Sequence, residues 1–168
     1  MPVLRAGFGA IGGPKYINAS SINRAEGAPN IMTFKKVDHL AIAVPDLDAG
    51  IALYKSILGK GPEHIEEVPD QKVRGAFFSV GETSLELIFP TAPESPVSKF
   101  LEDRKGRSGL HHICLTVTGI EAHLADLKKK GIHLIDEKPR IGAHGKKIAF
   151  VHPKSTGGVL IELSEEVK

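Results

Sequence analysis

The sequence predicts an α+β fold in which two tandem βαβββ modules form one curved mixed sheet around a shared cleft. A histidine followed by a short apolar, β-prone run occurs twice, at residues 39–44 and 112–117, with an offset of 73 residues. The elements after each copy recur in the same order, which favours an internal duplication over coincidence. We place the modules at 36–90 and 110–166. The linker between them, 91–109, is rich in proline, serine and charged residues.

An amphipathic helix follows the first strand of each module. In the first module, apolar residues spaced i, i+4, i+7 and i+11 form one stripe, which consists of Leu47, Ile51, Tyr54 and Leu58. The first three positions recur 73 residues later as Ile120, Leu124 and Leu127. Asp46 can cap the first helix, and the stretch from Thr118 to Glu121 fits a capping box at the second.

Three further strands are expected in each module. In the first module they are 64–68 and a hairpin of 73–80 with 84–89; in the second they are 133–136 and a hairpin of 147–152 with 159–164. A lone βαβββ unit leaves one face of its sheet uncovered. We therefore expect the two units to pair and form one domain spanning 36–166, either within one chain or by exchange of modules between subunits. Exposed strand edges favour a homodimer.

Composition excludes several classes of protein. The 168 residues carry a net charge of +2, but residues 1–37 hold five basic residues and one acid, so the remainder is mildly acidic. A domain with a mildly acidic charge balance is a poor candidate for nucleic-acid binding. The longest apolar run, 40–44, is far shorter than the ~20 residues of a membrane-spanning helix. The single cysteine, Cys114, forms no internal disulfide and suits a reducing compartment.

Residues 1–34 form an N-terminal extension without helical or strand periodicity. No acid precedes Glu26, and arginine and serine are present, as in mitochondrial transit peptides. We therefore expect a cleavable peptide that directs the protein to the mitochondrial matrix. A disordered tail is the alternative.

Two histidines and two glutamates occupy equivalent positions in the modules. His39 and His112 begin the first strands, while Glu86 and Glu162 lie inside apolar strands near the module ends. A carboxylate that points into a sheet interior is costly unless it is paired or binds a metal. Mixed nitrogen and oxygen ligands suit Co²⁺, Mn²⁺, Ni²⁺, Zn²⁺ or Fe²⁺. His111 is left out of this ligand set because strand alternation places it on the opposite face.

Five segments carry a resemblance to a known family. Residues 38–46, 109–113, 141–145, 150–154 and 158–163 resemble the methylmalonyl-CoA epimerase family of the vicinal oxygen chelate superfamily, which includes glyoxalases, bleomycin-resistance proteins and extradiol dioxygenases. The resemblance covers about residues 36–166. It implies a βαβββ fold and a divalent metal held by His39, Glu86, His112 and Glu162.

The resemblance also implies the reaction. Members of the family interconvert the (2R) and (2S) forms of methylmalonyl-CoA through a metal-stabilised enolate, a step of propionyl-CoA and branched-chain catabolism. Glu162 is the expected acid/base on one face. Bacterial members carry a second carboxylate in the strand that here spans 72–78, which contains no acid. Glu86 is therefore the nearest candidate for the second base, although bacterial relatives can carry glutamine at that position.

Other residues are expected to contact the acyl-CoA substrate. His144, in a glycine-rich loop, is a candidate for the substrate carboxylate, and Lys147, with Lys146 and Lys154, for the CoA phosphates. The alternatives are a glyoxalase-type isomerase or dioxygenase and a metal-free small-molecule binding protein on the same fold.

Overall fold

The computed structural model describes residues 33–167. The expected transit peptide therefore lies outside the described residues, except for Thr33 and Phe34, which begin the first strand. The first module contains β1 (Thr33–Ala43), α1 (Leu47–Leu58), β2 (His64–Val68), β3 (Val73–Val80) and β4 (Thr83–Pro90). The second contains β5 (Gly109–Thr118), α3 (Ile120–Lys129), β6 (Arg140–Ile141), β7 (Lys147–Val151) and β8 (Leu160–Glu165), and α2 (Pro96–Asp103) lies between the modules.

The eight strands form one mixed sheet in the order β2-β3-β4-β1-β5-β8-β7-β6. The modules join at the centre, where β1 and β5 run antiparallel, and each of these strands pairs in parallel with the last strand of its own module. The predicted fold class and the pairing of two modules are therefore confirmed. No helix within residues 33–167 is both long enough and apolar enough to cross a membrane.

The two longer helices pack on the outer face of the sheet. The predicted stripe of α1 lies against Ala76, Phe78 and Leu87, and the stripe of α3 lies against Ala149 and Leu163. Asp46 caps α1 as expected, since its carboxylate accepts a hydrogen bond from the backbone N–H of Ala49. This packing leaves the inner face of the sheet free to line a cleft.

The start of α3 differs from the predicted capping box. Gly119 is the N-cap and supplies no side chain. Instead the Glu165 carboxylate, at the end of β8, accepts hydrogen bonds from the backbone N–H groups of Gly119 and Ile120. The cap thus comes from a strand 45 residues away in the chain, which no local motif could reveal.

The second strand of module two also differs from the prediction. Residues 133–136 form only an isolated bridge between Leu134 and Val151, and the regular pairing with β7 is made by the two-residue β6. The Asp136 side chain is the physical reason, because its carboxylate accepts the Phe150 N–H at 2.9 Å in place of a backbone carbonyl.

The linker contains a helix that the sequence analysis missed. Ser95 caps α2 and Pro96 occupies its first turn, a combination typical of helix starts. Val97 and Leu101 are buried against Ala41 and Ile88 on the inner face of the sheet. The helix therefore closes one end of the cleft.

Candidate active site

The four side chains proposed as ligands converge on the inner face of the sheet. The Nε2 atoms of His39 and His112 lie 3.1 Å apart. The nearest carboxylate oxygen of Glu86 lies 3.3 Å from His39 Nε2, and that of Glu162 lies 2.9 Å from His112 Nε2 and 3.7 Å from His39 Nε2. His112, Glu86 and Glu162 are each less than a tenth exposed.

Strand register explains this convergence. In both modules, the residue two positions after the histidine pairs with the glutamate of the parallel neighbouring strand: Ala41 with Glu86, and Cys114 with Glu162. Side chains two apart on a strand share a face. Each histidine therefore shares a face with the glutamate of its module, and the antiparallel pairing of β1 and β5 brings the two sets together.

A bulge precedes each histidine. The β1–β5 register skips Asp38 on one strand and His111 on the other. Bulges redirect side chains, and here the Asp38 carboxylate lies 3.1 Å from Nδ1 of His39, while Nδ1 of His111 lies 2.9 Å from Nδ1 of His112. The alternation of a regular strand, which places His111 on the opposite face, does not hold at this bulge.

The contact with Asp38 orients the His39 ring. An acceptor at Nδ1 favours the tautomer whose Nε2 lone pair faces the cleft, as in carboxylate–histidine–metal arrangements. Asp38 is itself held by hydrogen bonds from Thr116, at 3.0 Å, and Lys146, at 3.2 Å.

The His111 ring occupies the corresponding place beside His112. Burial, followed by the charge of His112, lowers the pKa of His111 to about 4. His111 is therefore neutral at physiological pH and able to accept a hydrogen bond from Nδ1–H of His112.

The two glutamates differ in protonation. Burial raises the pKa of Glu86. Burial has the same effect on Glu162, but hydrogen bonds with His112 and His39 outweigh it and lower the pKa of Glu162 to about 2. Environments that shift the pKa values of two carboxyl groups in opposite directions are typical of acid/base pairs. The pKa values of the two carboxyl groups of the site are thus shifted in opposite directions.

The site attracts positive charge. Burial disfavours an imidazolium at His39, yet hydrogen bonds to Asp38, Cys114 and Glu162 and the charge of Glu86 outweigh that cost and raise its pKa to about 12. A group of buried acids that holds a proton this strongly is also suited to a metal cation, because a bound cation supplies the same compensation.

The donor set fits a divalent ion. One donor atom each from His39, His112 and Glu162 lies within 4.8 Å of the others. Two ligands at right angles on an ion with ~2.1 Å bonds lie about 3 Å apart, close to the separations observed here. Glu86 is not part of this set of three, although its carboxylate is buried and lies 3.3 Å from His39 Nε2.

The cleft has a volume of about 850 Å³, and both modules line it. His144 contributes to its wall, as does Lys146. Lys147 and Lys154 are not among the lining residues, and the Lys147 ammonium instead pairs with Glu121 of α3 at 2.6 Å. The alternation of side chains along β7 explains why Lys146 lines the cleft and Lys147 does not. Ile148 and Phe150, which share the face of Lys146, also line the cleft.

Comparisons with known proteins agree with this architecture. Residues 38–150 match the model of the Glyoxalase/Bleomycin resistance protein/Dioxygenase superfamily. The chain is 43% identical to the mitochondrial methylmalonyl-CoA epimerase of Homo sapiens, over 81% of this chain and 77% of the relative. It is 40% identical to the ethylmalonyl-CoA/methylmalonyl-CoA epimerase of Cereibacter sphaeroides, over 77% of this chain and 97% of the relative.

Solved structures give the same result. A variant of Streptomyces coelicolor methylmalonyl-CoA epimerase, in complex with 2-nitronate-propionyl-CoA, superposes with a TM-score of 0.74 at 35% identity and covers 80% of this chain and 96% of that one. The chain therefore belongs to the methylmalonyl-CoA epimerase family of the Glyoxalase/Bleomycin resistance protein/Dioxygenase superfamily.

Proposed function

We propose that this protein interconverts the (2R) and (2S) epimers of methylmalonyl-CoA by removing the C2 proton and returning it to the opposite face. The observation that carries the proposal is the pair of buried carboxyl groups from different modules. Glu86 and Glu162 both lie near Nε2 of His39, at 3.3 and 3.7 Å, and their pKa values shift in opposite directions.

His39, His112 and Glu162 are the residues that would hold a divalent cation, with Glu86 beside them. The C2 proton of a thioester is far less acidic than a carboxylic acid, so its removal requires strong stabilisation of the developing charge. A divalent cation at this site would supply that stabilisation at the thioester oxygen. Asp38 and His111 keep the two imidazoles in place by their contacts with the Nδ1 atoms.

Inversion requires proton transfer on both faces of the planar intermediate. Glu162, whose pKa is lowered, is suited to accept the C2 proton, and Glu86, whose pKa is raised by burial, is the better suited of the two to donate one from the other face. For the reverse reaction the two groups exchange roles.

Gly75 makes room for the Glu86 carboxyl group. A Cβ at that position would lie 2.8 Å from Oε1 of Glu86. In the strand where bacterial relatives carry their second acid, this chain thus has a glycine that accommodates the carboxyl group of the neighbouring strand. This supports Glu86 as the second proton-transfer group.

The names of the relatives support an acyl-CoA substrate. Four cationic side chains line the cleft and are candidates for the CoA phosphates: Lys36, Lys72, Arg140 and Lys146. Lys146 pairs with Asp38 and Glu166, Lys72 with Glu94 and Arg140 with Asp136. Lys36, whose ammonium donates to the Glu82 carbonyl, is therefore the best candidate. The turn that contains His144 remains our candidate for the substrate carboxylate, which it can contact through the His144 ring or through backbone N–H groups.

The wider setting of the protein is also proposed. Propionyl-CoA and branched-chain catabolism is the pathway, and the mitochondrial matrix is the location, which the mitochondrial relative from Homo sapiens supports. Fusion of residues 1–34 to a fluorescent protein tests the location. We propose a homodimer, which light scattering of the purified protein tests.

The direct test is to incubate the metal-loaded protein with one epimer and measure the other. We expect conversion to equilibrium, loss of activity after EDTA treatment, and no C2 proton exchange with solvent in Glu162→Ala. Wild-type exchange in Glu162→Ala would contradict the role of that residue. Turnover of a glutathione hemithioacetal, oxygen consumption, or purification without metal and without epimerisation would support the other members of the superfamily instead.

A further inference from the structure

A second group of potential metal ligands lies at the open rim of the cleft. It consists of His64 and Glu66 on β2 of the first module and His144 in the turn 143–145 of the second. One donor atom from each residue lies within 4.8 Å of the others. Both histidines are exposed, so an ion could reach them from solvent.

The two imidazoles are arranged like a pair of zinc ligands. Their Nε2 atoms lie 3.4 Å apart. Tetrahedral Zn²⁺ with ~2.0–2.1 Å bonds to nitrogen places two ligands about 3.3–3.4 Å apart. Two ring nitrogens this close share at most one hydrogen bond, whereas a bound cation is a partner for both lone pairs.

Glu66 prepares His144 for this role. Its carboxylate lies 3.1 Å from Nδ1 of His144 and also accepts the His144 backbone N–H at 3.4 Å. An acceptor at Nδ1 directs the lone pair to Nε2, the atom that faces His64. The carboxylate can serve as an oxygen ligand once it leaves Nδ1, because the two ring nitrogens face different sides of the imidazole.

The surrounding structure holds both rings. The Phe77 ring stacks on His64 with a centroid distance of 4.4 Å and contacts the edge of His144 at 5.0 Å. His144 has a φ of 55°, in the left-handed region that residues other than glycine rarely adopt. A strained backbone conformation that presents a side chain is typical of functional sites.

We propose that His64, Glu66 and His144 form a second metal site, selective for Zn²⁺-type ions, that bridges the two modules at the rim of the cleft. Two imidazoles and a carboxylate are the ligands that such ions prefer. The rim site shares no ligand with the central site and is separate from it. Phe77 lies next to both sites: its ring contacts His64 and His144, and it is paired with Glu86 across β3 and β4.

Equilibrium dialysis at micromolar free Zn²⁺, followed by elemental analysis, tests the proposal without measuring activity. We expect wild type to bind two ions per chain, His64→Ala to lose the weaker ion, and His112→Ala to lose the tighter one. The matched control is His133→Ala, which removes an exposed histidine outside the cleft lining and should leave both ions.

Retention of the tighter ion by His64→Ala shows that this variant is folded, so its loss of the second ion is attributable to the rim site. Glu66→Gln should weaken the second ion and leave the first unchanged. Zinc binding to the wild-type protein that is unchanged in His64→Ala would overturn the proposal, whatever the number of ions bound. This result is independent of whether the protein epimerises methylmalonyl-CoA.

Discussion

His39 and His112 face each other across the centre of the sheet, with Nε2 atoms 3.1 Å apart although the residues are separated by 73 positions in the chain. Each imidazole contacts, through Nδ1, the side chain of the residue before it, which is Asp38 in one module and His111 in the other. The duplication thus includes more than the two ligand histidines. Each module also has a bulge before its histidine and, at that bulge, a side chain that contacts the Nδ1 atom of the histidine.

Replacement of Asp38 by asparagine should weaken metal binding. The carboxylate keeps the His39 ring in the tautomer that presents its Nε2 lone pair, and an amide does so less strongly. We expect the affinity to fall by about 10- to 100-fold, measured by competition with a chromogenic chelator. The control is Glu166→Gln, which removes the other carboxylate partner of Lys146 and should leave the affinity unchanged. Wild-type affinity in Asp38→Asn would contradict the orienting role.

Metal binding should release protons and strengthen as pH rises. Because the pKa of His39 is raised to about 12 in the metal-free protein, its ring is protonated at neutral pH, and an ion must displace that proton. We expect release of about one proton per ion from this ring, with the apparent affinity rising by up to ~10-fold per pH unit between pH 6 and 8. Calorimetry in buffers of different ionisation enthalpy measures the release. Affinity independent of pH, with no proton released, would contradict this assignment.

Glu86→Gln should separate exchange from inversion. If Glu86 serves one face only, the variant still binds metal and still exchanges the C2 proton of the epimer whose proton faces Glu162, but it cannot deliver a proton to the other face. We expect epimerisation to fall by about 10²- to 10⁴-fold, while deuterium enters that epimer with retention of configuration. Chiral separation and mass spectrometry measure both. Inversion at the wild-type rate would show that another group serves the second face.

Glu165→Ala should destabilise the fold without affecting the site. The Glu165 carboxylate accepts two backbone N–H groups at the start of α3, and its loss leaves them without this cap. We expect a decrease in the free energy of unfolding of about 1–2 kcal/mol in urea. The control, Glu137→Ala, removes an exposed ion pair with Lys128 and should cost no more than about 0.5 kcal/mol. Equal losses in the two variants would contradict the capping role.

Periodicity predicted the features that repeat. The recurrence of a histidine, an apolar strand and an amphipathic stripe predicted the two modules. Alternation explains why Glu162 lines the cleft while Ile161 and Leu163 pack on the other face. Glu86 also lies on the cleft face of the sheet, and its neighbour Leu87 lies on the other face, where it packs against α1. These predictions succeed because a regular strand has a fixed period of two residues.

Irregular backbone and distant partners explain what the sequence did not reveal. The bulge that brings His111 beside His112 depends on the register between β1 and β5, and the α3 cap depends on Glu165 at the far end of the module. Neither has a local sequence signature. The rim cluster likewise joins β2 to a turn of the other module, so only the folded chain brings His64 to His144.

Incorporation of deuterium at C2 tests the central claim most directly. Metal-loaded protein is incubated in D₂O with one epimer of methylmalonyl-CoA, and both epimers are recovered and analysed by mass spectrometry. With two carboxyl groups on opposite faces, we expect the newly formed epimer to carry solvent deuterium at C2. We expect Glu162→Ala to show none, because this variant loses a metal ligand as well as a proton-transfer group. Inversion without deuterium at C2, or no deuterium in either epimer with the metal-loaded wild-type protein, would contradict the account.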